Sequence, residues 1–327
     1  MYGAGAVGSC LAAHLAGSGV DVTLVARGAQ RAALADTGLR VDWEDGRGVT
    51  LRLPVHGPNE ARGPFDFVLV TLKSTHLEAA ASDLARLAAD SPLVMLQNGL
   101  SWWYFEGIDS PWRGRPLRAV DPAGTLARQL DLRQIIGAVI YQPASLAAPG
   151  HCLPRTLPSN RVIVGEIDHR PSARCARLTE LLQAAGLHAQ ASSAIRAEQW
   201  AKLQLNMIWN PLCALTLAGP RYFIDLPGGL EFVRTLMEEA RSVAAAVGVE
   251  LAVDLDAELR RIAGNYTMMP SMAQDAQAGR PIEWGGILGA VLEIADLAGL
   301  AIPCFRTVAL TAGALDARLR AATAQPA

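Results

Sequence analysis

The chain contains 327 residues, of which 51% are hydrophobic and 18% are charged. This composition predicts about two folded domains and excludes an intrinsically disordered chain. Lys and Arg number 29 against 31 Asp and Glu, which gives a net charge of -2. The sequence therefore lacks the basic footprint of a nucleic-acid-binding protein and the polybasic patch of a membrane-surface protein. A small metabolite is the partner that this balance favours.

The five cysteines are scattered and none forms a Cys-x-x-Cys pair. Together with six histidines that show no ligand spacing, they predict neither a disulfide framework nor a metal site, and they favour the reducing cytoplasm. The longest apolar stretch, residues 285–305, contains Glu293 and Asp296, which argues against a transmembrane helix. We expect a cytoplasmic protein without a membrane span.

In the first half of the chain, short β-branched runs alternate with Ala- and Leu-rich stretches, as in a doubly wound parallel sheet. Strands are predicted over residues 20–25, 67–72, 93–96, 135–141, 161–165 and 188–191, and helices over residues 9–17, 77–89 and 172–185. Residues 102–129 are rich in Trp, Pro, Gly and Arg, and are expected to form a long excursion from this domain.

The strand signal fades after about residue 194. Apolar spacing predicts helices over residues 195–217, 230–247, 255–266, 282–299 and 305–321. The predicted architecture is therefore a Rossmann-type α/β domain over residues 1–192 followed by a mostly α-helical domain over residues 193–327. The large apolar helices of the second half are compatible with a homodimer.

A glycine-rich loop stands at the start of the chain, where residues 3–8 match the pattern G-x-G-x-x-G. A helical pattern and then a strand follow it, as in the βαβ unit that binds a dinucleotide pyrophosphate. The backbone of Gly3, Gly5, Ala6, Val7 and Gly8 is predicted to face the pyrophosphate, at the N-terminus of the helix.

Only two residues, Met1 and Tyr2, precede this loop, whereas a strand usually has about five residues. The sequence predicts either that further residues precede Met1 or that the central strand is short and the fold less stable.

The end of the second predicted strand indicates the type of dinucleotide. An NAD site usually has a carboxylate there, but this chain has Arg27. A guanidinium suits a 2'-phosphate, so Arg27 predicts NADP(H), and Arg31 is expected to assist from one helical turn further on. The alternative is that Arg27 is an ordinary surface charge.

Two polar residues follow buried strands, at the sheet edge where doubly wound folds bind ligands. Lys73 follows the strand over residues 67–72, and Asn98 follows the strand over residues 93–96. Asn98 offers a donor and an acceptor, which suits a nicotinamide carboxamide or a substrate carbonyl. Each of the two residues could instead cap its loop.

A polar stripe is predicted on the first helix of the second domain. Lys202, Asn206 and Asn210 stand at positions i, i+4 and i+8, so they share one helix face among largely apolar neighbours. Burying an ammonium group is costly, and a functional reason is donation to a substrate carbonyl or alkoxide. The alternative is a solvated stripe on a helix edge.

Ser271 and Glu283 belong to a second polar cluster. Ser271 precedes a predicted helical turn, which it could cap, or it could bind a carboxylate. Glu283 opens the helix predicted over residues 282–299, where an acidic residue is common for dipole reasons alone.

Taken in order along nearly the whole chain, these segments resemble the ketopantoate reductase (2-dehydropantoate 2-reductase) family. The matching segments are residues 3–8, Arg27, residues 70–73, 97–99 and 195–203 with Asn206 and residues 210–212, residues 271–275, and residues 279–283. The lysine helix and the segment from Ser271 to Glu283 are the specific matches, because many NADP-dependent enzymes share the glycine loop and Arg27.

The resemblance implies a Rossmann domain, a helical domain and a catalytic cleft between them. It also implies that Lys202 donates to the 2-oxo group during reduction by NADPH, and that Glu283 engages the hydroxyl end of the substrate. Asn98, Asn206, Asn210 and Ser271 correspond to residues that position the cofactor and the substrate, and Lys73 to a lysine of the cofactor cleft.

The chain departs from the family pattern at three positions. Met268 stands where an Asn is frequent, Leu288 replaces the Asn of an Asn-Gly pair, and Trp284 is unusual. Because the family places these positions around its substrate pocket, a larger or more apolar 2-oxo acid is an open alternative.

The principal hypothesis is therefore NADPH-dependent reduction of a 2-oxo acid, with ketopantoate as the default substrate and pantothenate biosynthesis as the role. A reductase of another carbonyl or imine is the first alternative. A non-catalytic NADPH-binding regulator is the second, although the presence of both Lys202 and Glu283 speaks against it.

Overall fold

The computed structural model describes residues 1–251, 254, 256–258, 260 and 269–324. The chain forms two compact units. The first comprises Met1–Gln97, Phe105–Pro116 and Ala123–Glu198, and the second comprises Asn98–Tyr104, Leu117–Pro122 and Gln199–Ala327. Residues 102–129, expected to belong to the first domain, are thus shared between the two units.

The first unit contains eleven strands among its described residues. They are β1 (Leu24–Val25), β2 (Leu39–Asp42), β3 (Gly48–Leu51), β4 (Val55–His56), β5 (Val68–Val70), β6 (Leu93–Met95), β7 (Ile135–Tyr141), β8 (Ala144–Ala148), β9 (His151–Pro154), β10 (Arg161–Glu166) and β11 (Ala189–Ala191). All six predicted strands are present, although β1 occupies only the last two residues of its predicted range.

The main sheet has the predicted parallel character at its centre. Its strands follow the order β11-β10-β7-β6-β5, and β1 pairs with β4. Tyr2 joins the two parts through parallel bridges to Val25 and Val70. The strands β7, β6 and β5 are mutually parallel, whereas β10 pairs antiparallel with β7 and β11 follows the direction of β10. Six of the seven residues of β7 are buried, as expected for a strand covered on both faces.

Tyr2 alone represents the central strand of the sheet, through its two parallel bridges. A cavity of about 600 Å³ lies beside it, lined by residues that include Met1, Tyr2, Thr23 and Leu69. The Met1 amine donates to the Thr23 carbonyl over 2.6 Å, and burial lowers the pKa of this amine to about 5.

A second sheet of the first unit was not predicted. Its order is β3-β2-β9-β8, and the helix α1 (Ala6–Gly17) packs against β8 and β9. The strands β3 and β8 are largely exposed, so they lack the strong apolar signal by which strands are recognised.

The other helices of the first unit are α2 (Gly28–Asp36), α3 (Leu77–Ala88), α4 (Thr125–Gln129) and α5 (Ala173–Ala184). The predicted helices near α1, α3 and α5 are therefore present. The helix α2 was missed because it buries only Leu34 on its inner face, which leaves little apolar periodicity in the sequence.

The second unit is helical, as predicted. The helix α6 (Ile195–Thr216) begins at the end of the first unit, and it is followed by α7 (Arg221–Ile224), α8 (Gly229–Ala246), α9 (Ser271–Gln277), α10 (Ala290–Ala298) and α11 (Pro303–Ala324). A π-helix over Gly285–Gly289 precedes α10. The helix predicted over residues 255–266 lies outside the described residues, except at positions 256–258 and 260, which are helical.

The helix α8 packs against α10 and α11. Its Glu239 accepts hydrogen bonds from the backbone N–H groups of Cys304 and Phe305, at 3.1 and 2.6 Å, in the first turn of α11. A carboxylate at a helix N-terminus satisfies free backbone donors and complements the helix dipole. This contact fixes how α8 and α11 meet.

Candidate active site

The glycine loop has the backbone geometry that its sequence predicts. Gly3 has a φ of +108°, and a Cβ on Gly8 would lie 2.0 Å from the carbonyl oxygen of Gly3. Gly5, by contrast, is exposed and precedes α1, and a Cβ there would meet nothing within 4 Å. Gly3 is therefore required for the turn and Gly8 for close packing, while Gly5 leaves open space at the N-terminus of α1.

Side chains of the first unit hold the carbonyl groups of this loop. Thr71 donates to the Gly3 carbonyl over 2.5 Å, and Gln30 and Ser9 donate to the Ala4 carbonyl over 2.6 and 3.1 Å. These side chains bind the carbonyl groups of the loop and leave the N-terminus of α1 exposed. The first turn of α1 contains no carboxylate. These residues fit a dinucleotide pyrophosphate, which binds such a site through backbone N–H groups.

The end of β1 carries Arg27, which is exposed and directly precedes α2. Arg31, expected to assist it, forms an ion pair instead: its guanidinium donates two hydrogen bonds to Glu60, over 3.0 and 2.7 Å. Glu60 was missed by the sequence analysis, because it stands 29 positions after Arg31 and outside any motif. Only the pairing of β4 with β1 brings it here.

Lys73 lies three residues after the end of β5, on the segment where it was predicted, and it is half-buried. The side chain of Gln97 donates to the carbonyl groups of Val70 and Leu72, over 2.8 and 3.1 Å. Gln97 therefore joins the ends of β5 and β6 and fixes the backbone that leads into Lys73.

Lys202 and Asn98 meet within the second unit. The Lys202 Nζ atom donates to Asn98 Oδ1 over 2.5 Å. An ammonium group has only donors, so the oxygen of the Asn98 amide must face it and the amide nitrogen must face away. Lys202 is half-buried.

Two further hydrogen bonds hold the Asn98 segment to α6. Gln199 donates to the Ser101 hydroxyl over 2.8 Å, and Trp200 Nε1 donates to the Tyr104 hydroxyl over 2.7 Å. Trp200 and Tyr104 are fully buried. Two residues just before Lys202 are thus bonded to two residues just after Asn98, and neither bond was predicted.

Glycines bring the Asn98 segment close to the π-helix. A Cβ on Gly99 would lie 2.2 Å from the carbonyl oxygen of Gly286, and a Cβ on Gly285 would lie 2.2 Å from that of Ala119. Leu100 donates its backbone N–H to Gly286 over 2.8 Å. Gly99 has a φ of +83°, a conformation that glycine adopts without strain. Asn98 is therefore held by backbone packing on one side and by Lys202 on the other.

The stripe predicted on α6 is partly buried. Asn206 is half-buried and Asn210 is 4% exposed. A solvated stripe at a helix edge, the alternative that the sequence left open, does not agree with the burial of Asn210. Both carboxamides remain candidates for positioning a ligand.

Ser271 is exposed and is the first residue of α9, where Pro270 takes the capping position without a side-chain hydrogen bond. The alternative role of Ser271 as a helix cap is therefore not realised. Glu283 is buried, at 8% exposure, and lies one residue before the helical segment that starts at Trp284. The helix predicted over residues 282–299 thus starts two residues late, and its first turn is largely π-helical.

Two of the three departures from the family pattern are packing residues here. Trp284 donates from Nε1 to the carbonyl of Ala309 over 2.7 Å, and its ring covers Gly289 and Gly313. Leu288 is fully buried. Met268 lies outside the described residues.

None of the helices that the structure describes is long and apolar enough to cross a membrane. The same described residues contain no group of three or more His, Cys, Asp and Glu side chains arranged to hold a metal ion.

Both parts of the chain match models of one family. Residues 1–102 match "Ketopantoate reductase PanE/ApbA", and residues 194–315 match "Ketopantoate reductase PanE/ApbA C terminal". The 2-dehydropantoate 2-reductase of Mesorhizobium japonicum is 34% identical over 310 residues, 94% of each chain. That of Archaeoglobus fulgidus is 30% identical over 309 residues, again 94% of each chain.

Solved structures share the fold. A PanE/ApbA family ketopantoate reductase from Ralstonia eutropha superposes with a TM-score of 0.80 at 28% identity, covering 98% of this chain and all of the other. A D-mandelate dehydrogenase solved with NADH and anilino(oxo)acetate has a TM-score of 0.82 at 23% identity, covering 98% and 100% of the two chains. The second similarity shows the fold alone.

The chain has an α/β unit with a glycine loop, a helical unit, and these relatives. Together they define an oxidoreductase that uses a nicotinamide dinucleotide and acts on a CH–OH group. The chain belongs to the ketopantoate reductase family. The family, the fold class and the reductase activity predicted from the sequence are thereby confirmed.

Proposed function

We propose that this protein reduces 2-dehydropantoate to pantoate with NADPH, and that Lys202 is the proton donor. The observation that carries the proposal is the 2.5 Å hydrogen bond between Lys202 Nζ and Asn98 Oδ1. It fixes the ammonium group of a half-buried lysine on the segment that follows the β6 strand, where Rossmann-type folds bind their ligands.

When bound, the cofactor supplies a hydride to the carbonyl carbon of the substrate. Negative charge then develops on the carbonyl oxygen. The Lys202 ammonium group stabilises this charge by a hydrogen bond and transfers a proton to the oxygen, which yields the hydroxyl group of the product. Neutral Lys202 recovers its proton from water.

The remaining residues orient the reactants. With its oxygen engaged by Lys202, Asn98 has its amide nitrogen available to donate to a carboxamide or carbonyl oxygen. The carboxamides of Asn206 and Asn210 and the hydroxyl of Ser271 are proposed to position the substrate, and Glu283 to accept a hydrogen bond from its hydroxyl end. Such fixed contacts hold the carbonyl group in a reactive orientation.

The glycine loop and Lys73 are proposed to hold the pyrophosphate end of the cofactor, and Arg27 to prefer a 2'-phosphate. NADP(H) is accordingly the proposed cofactor. We also propose that the protein is located in the cytoplasm and forms a homodimer.

The test is oxidation of NADPH by the purified protein with ketopantoate, beside a panel of bulkier 2-oxo acids and with NADH as the comparison. Rapid turnover of ketopantoate with a preference for NADPH is the expected result. Turnover of a bulkier acid alone would overturn the proposed substrate. Binding of NADPH without turnover on any acid would favour a non-catalytic regulator.

A further inference from the structure

The guanidinium group of Arg31 is held by an exposed ion pair near the end of β1. Glu60 accepts both of its hydrogen bonds, and the Glu60 carboxylate also accepts the backbone N–H of Gly57 over 2.8 Å. A Cβ on Gly57 would lie 2.5 Å from Arg31 Nη1 and 2.8 Å from Glu60 Oε1. The ion pair therefore lies directly on the backbone of Gly57, in a space that only a glycine leaves.

This pair lies beside the proposed adenosine end of the cofactor. The strand β4 runs parallel to β1 with His56 opposite Val25, and Ala26 donates its backbone N–H to the His56 carbonyl over 3.0 Å. Gly57 thus follows β4 at the level of Ala26, the residue before Arg27. Arg31 lies one turn into α2, and its backbone N–H bonds to the Arg27 carbonyl over 3.3 Å.

The charge state of the pair is settled by its contacts. The Gly57 N–H group and the Arg31 guanidinium hold the pKa of Glu60 below its usual range, so Glu60 is ionised at neutral pH. An ionised carboxylate beside Arg31 cancels most of the attraction that this guanidinium would exert on a nearby phosphate.

We propose that Glu60 is a specificity-determining residue for the cofactor: by holding Arg31, it restricts recognition of a 2'-phosphate to Arg27 and limits the preference for NADP(H) over NAD(H). The proposal rests on the proposed function, in that it takes residues 27–31 as the adenosine site. It adds a carboxylate to a site whose sequence motif contains none.

The consequence can be measured by binding alone. In Glu60→Gln the charge of Arg31 is no longer cancelled, so we expect NADP⁺ to bind about two- to fivefold more tightly, the size of effect typical of one exposed charge pair. The affinity for NAD⁺, which has no 2'-phosphate, should stay unchanged. Gly57→Ala should act in the same direction, because its methyl group displaces the ion pair without removing a charge.

Isothermal titration calorimetry with NADP⁺, NAD⁺, 2'-AMP and 5'-AMP gives the required dissociation constants without turnover. The gain in Glu60→Gln should disappear in the double variant Arg31→Ala with Glu60→Gln. Asp45→Asn is the matched control, since it breaks another exposed ion pair of this unit, the 2.7 Å contact with Arg47, and should change neither affinity.

An unchanged NADP⁺ affinity in Glu60→Gln would overturn the proposal, and a weaker one would show that Glu60 positions Arg31 for the phosphate. Failure of the proposed function gives a different result. The unaltered protein would then bind neither dinucleotide, which would overturn both the proposed function and the proposed role of Glu60.

Discussion

Lys202 and Asn98 are 104 positions apart in the sequence and are joined by a hydrogen bond of 2.5 Å. Two further hydrogen bonds, Gln199–Ser101 and Trp200–Tyr104, join the same two segments next to this pair. The position of the proposed catalytic lysine therefore depends on hydrogen bonds between α6 and the segment after Asn98. The buried residues that form these bonds have no chemical role in the reaction.

The buried hydroxyl of Tyr104 gives the first prediction. In Tyr104→Phe, Trp200 Nε1 loses its acceptor at a site where both rings are fully buried. An unsatisfied buried donor costs about 1–3 kcal/mol, so the free energy of unfolding in urea should fall by this amount. Tyr222→Phe, at a ring that is 71% exposed, is the control and should have no effect. Equal stability of the two variants would contradict the assigned contact.

The glycine loop gives a second prediction. A methyl group at Gly8 would lie 2.0 Å from the Gly3 carbonyl oxygen and 2.6 Å from Thr71 Oγ1, so Gly8→Ala should deform the loop and abolish NADPH binding, measured by fluorescence titration. Gly17→Ala, in the same helix but with nothing within 4 Å of the new methyl group, should bind NADPH normally and melt no lower than the unaltered protein. Normal binding by Gly8→Ala would refute the pyrophosphate site.

The buried amine of Met1 predicts a pH dependence of stability. Burial lowers its pKa from 8.0 to about 5. Between these values the unfolded chain binds a proton that the folded chain does not, so the free energy of unfolding should rise as the pH increases from 5 to 8. At 1.36 kcal/mol per pKa unit, the gain is on the order of 4 kcal/mol at most.

The measurement is urea unfolding of the 327-residue chain across this pH range. Acetylation of Met1 supplies the control, because the amide keeps an N–H donor but does not titrate. Subtracting the acetylated series isolates the amine, and identical slopes in both series would exclude it as the cause.

The cavity beside Tyr2 predicts that the sheet accepts a longer central strand. Tyr2 and Met1 already alternate between their neighbours: Tyr2 donates to the Leu69 carbonyl over 2.8 Å, and Val25 donates to the Met1 carbonyl over 2.9 Å. A continued ladder would pair the next N–H groups, those of Leu69 and Thr23, with added residues. An extension Val-Arg-Ile-Ala-Val fused before Met1 should therefore fill the 600 Å³ cavity.

We expect this extension to raise the free energy of unfolding by more than about 1 kcal/mol, since apolar burial exceeds the cost of ordering the added residues. A Gly-Ser-Gly-Ser-Gly extension is the matched control and should stabilise little. Equal melting temperatures for the two fusions would show that the cavity does not bind a strand.

The sequence was sufficient for those elements whose packing leaves a regular pattern. The strand β7 has its predicted bounds, and α6 differs by one residue at its end, because both bury a continuous apolar surface. The sheet formed by β2, β3, β8 and β9 was missed, since β3 and β8 are largely exposed and β2 and β9 are four-residue strands with only two buried positions each. Trp102, Trp103, Tyr104 and Phe105 are all fully or almost fully buried, yet they lie outside regular elements, and periodicity gives no information about such segments.

The candidate site was predictable where chemistry is encoded locally. The glycine loop, Arg27 and the stripe from Lys202 to Asn210 each stand in one short segment. The bond between Lys202 and Asn98, and the ion pair between Arg31 and Glu60, join distant segments, so they follow from the fold and not from any motif.

The most direct test of the proposed mechanism compares the unaltered protein with Lys202→Ala, in both NADPH-dependent reduction of ketopantoate and equilibrium binding of NADPH. We predict that turnover falls by about a thousandfold, as expected when the main stabiliser of a developing oxyanion is lost, while the dissociation constant of NADPH is unchanged. Undiminished turnover, or a loss of NADPH binding in place of turnover, would contradict the assignment of Lys202 as the proton donor.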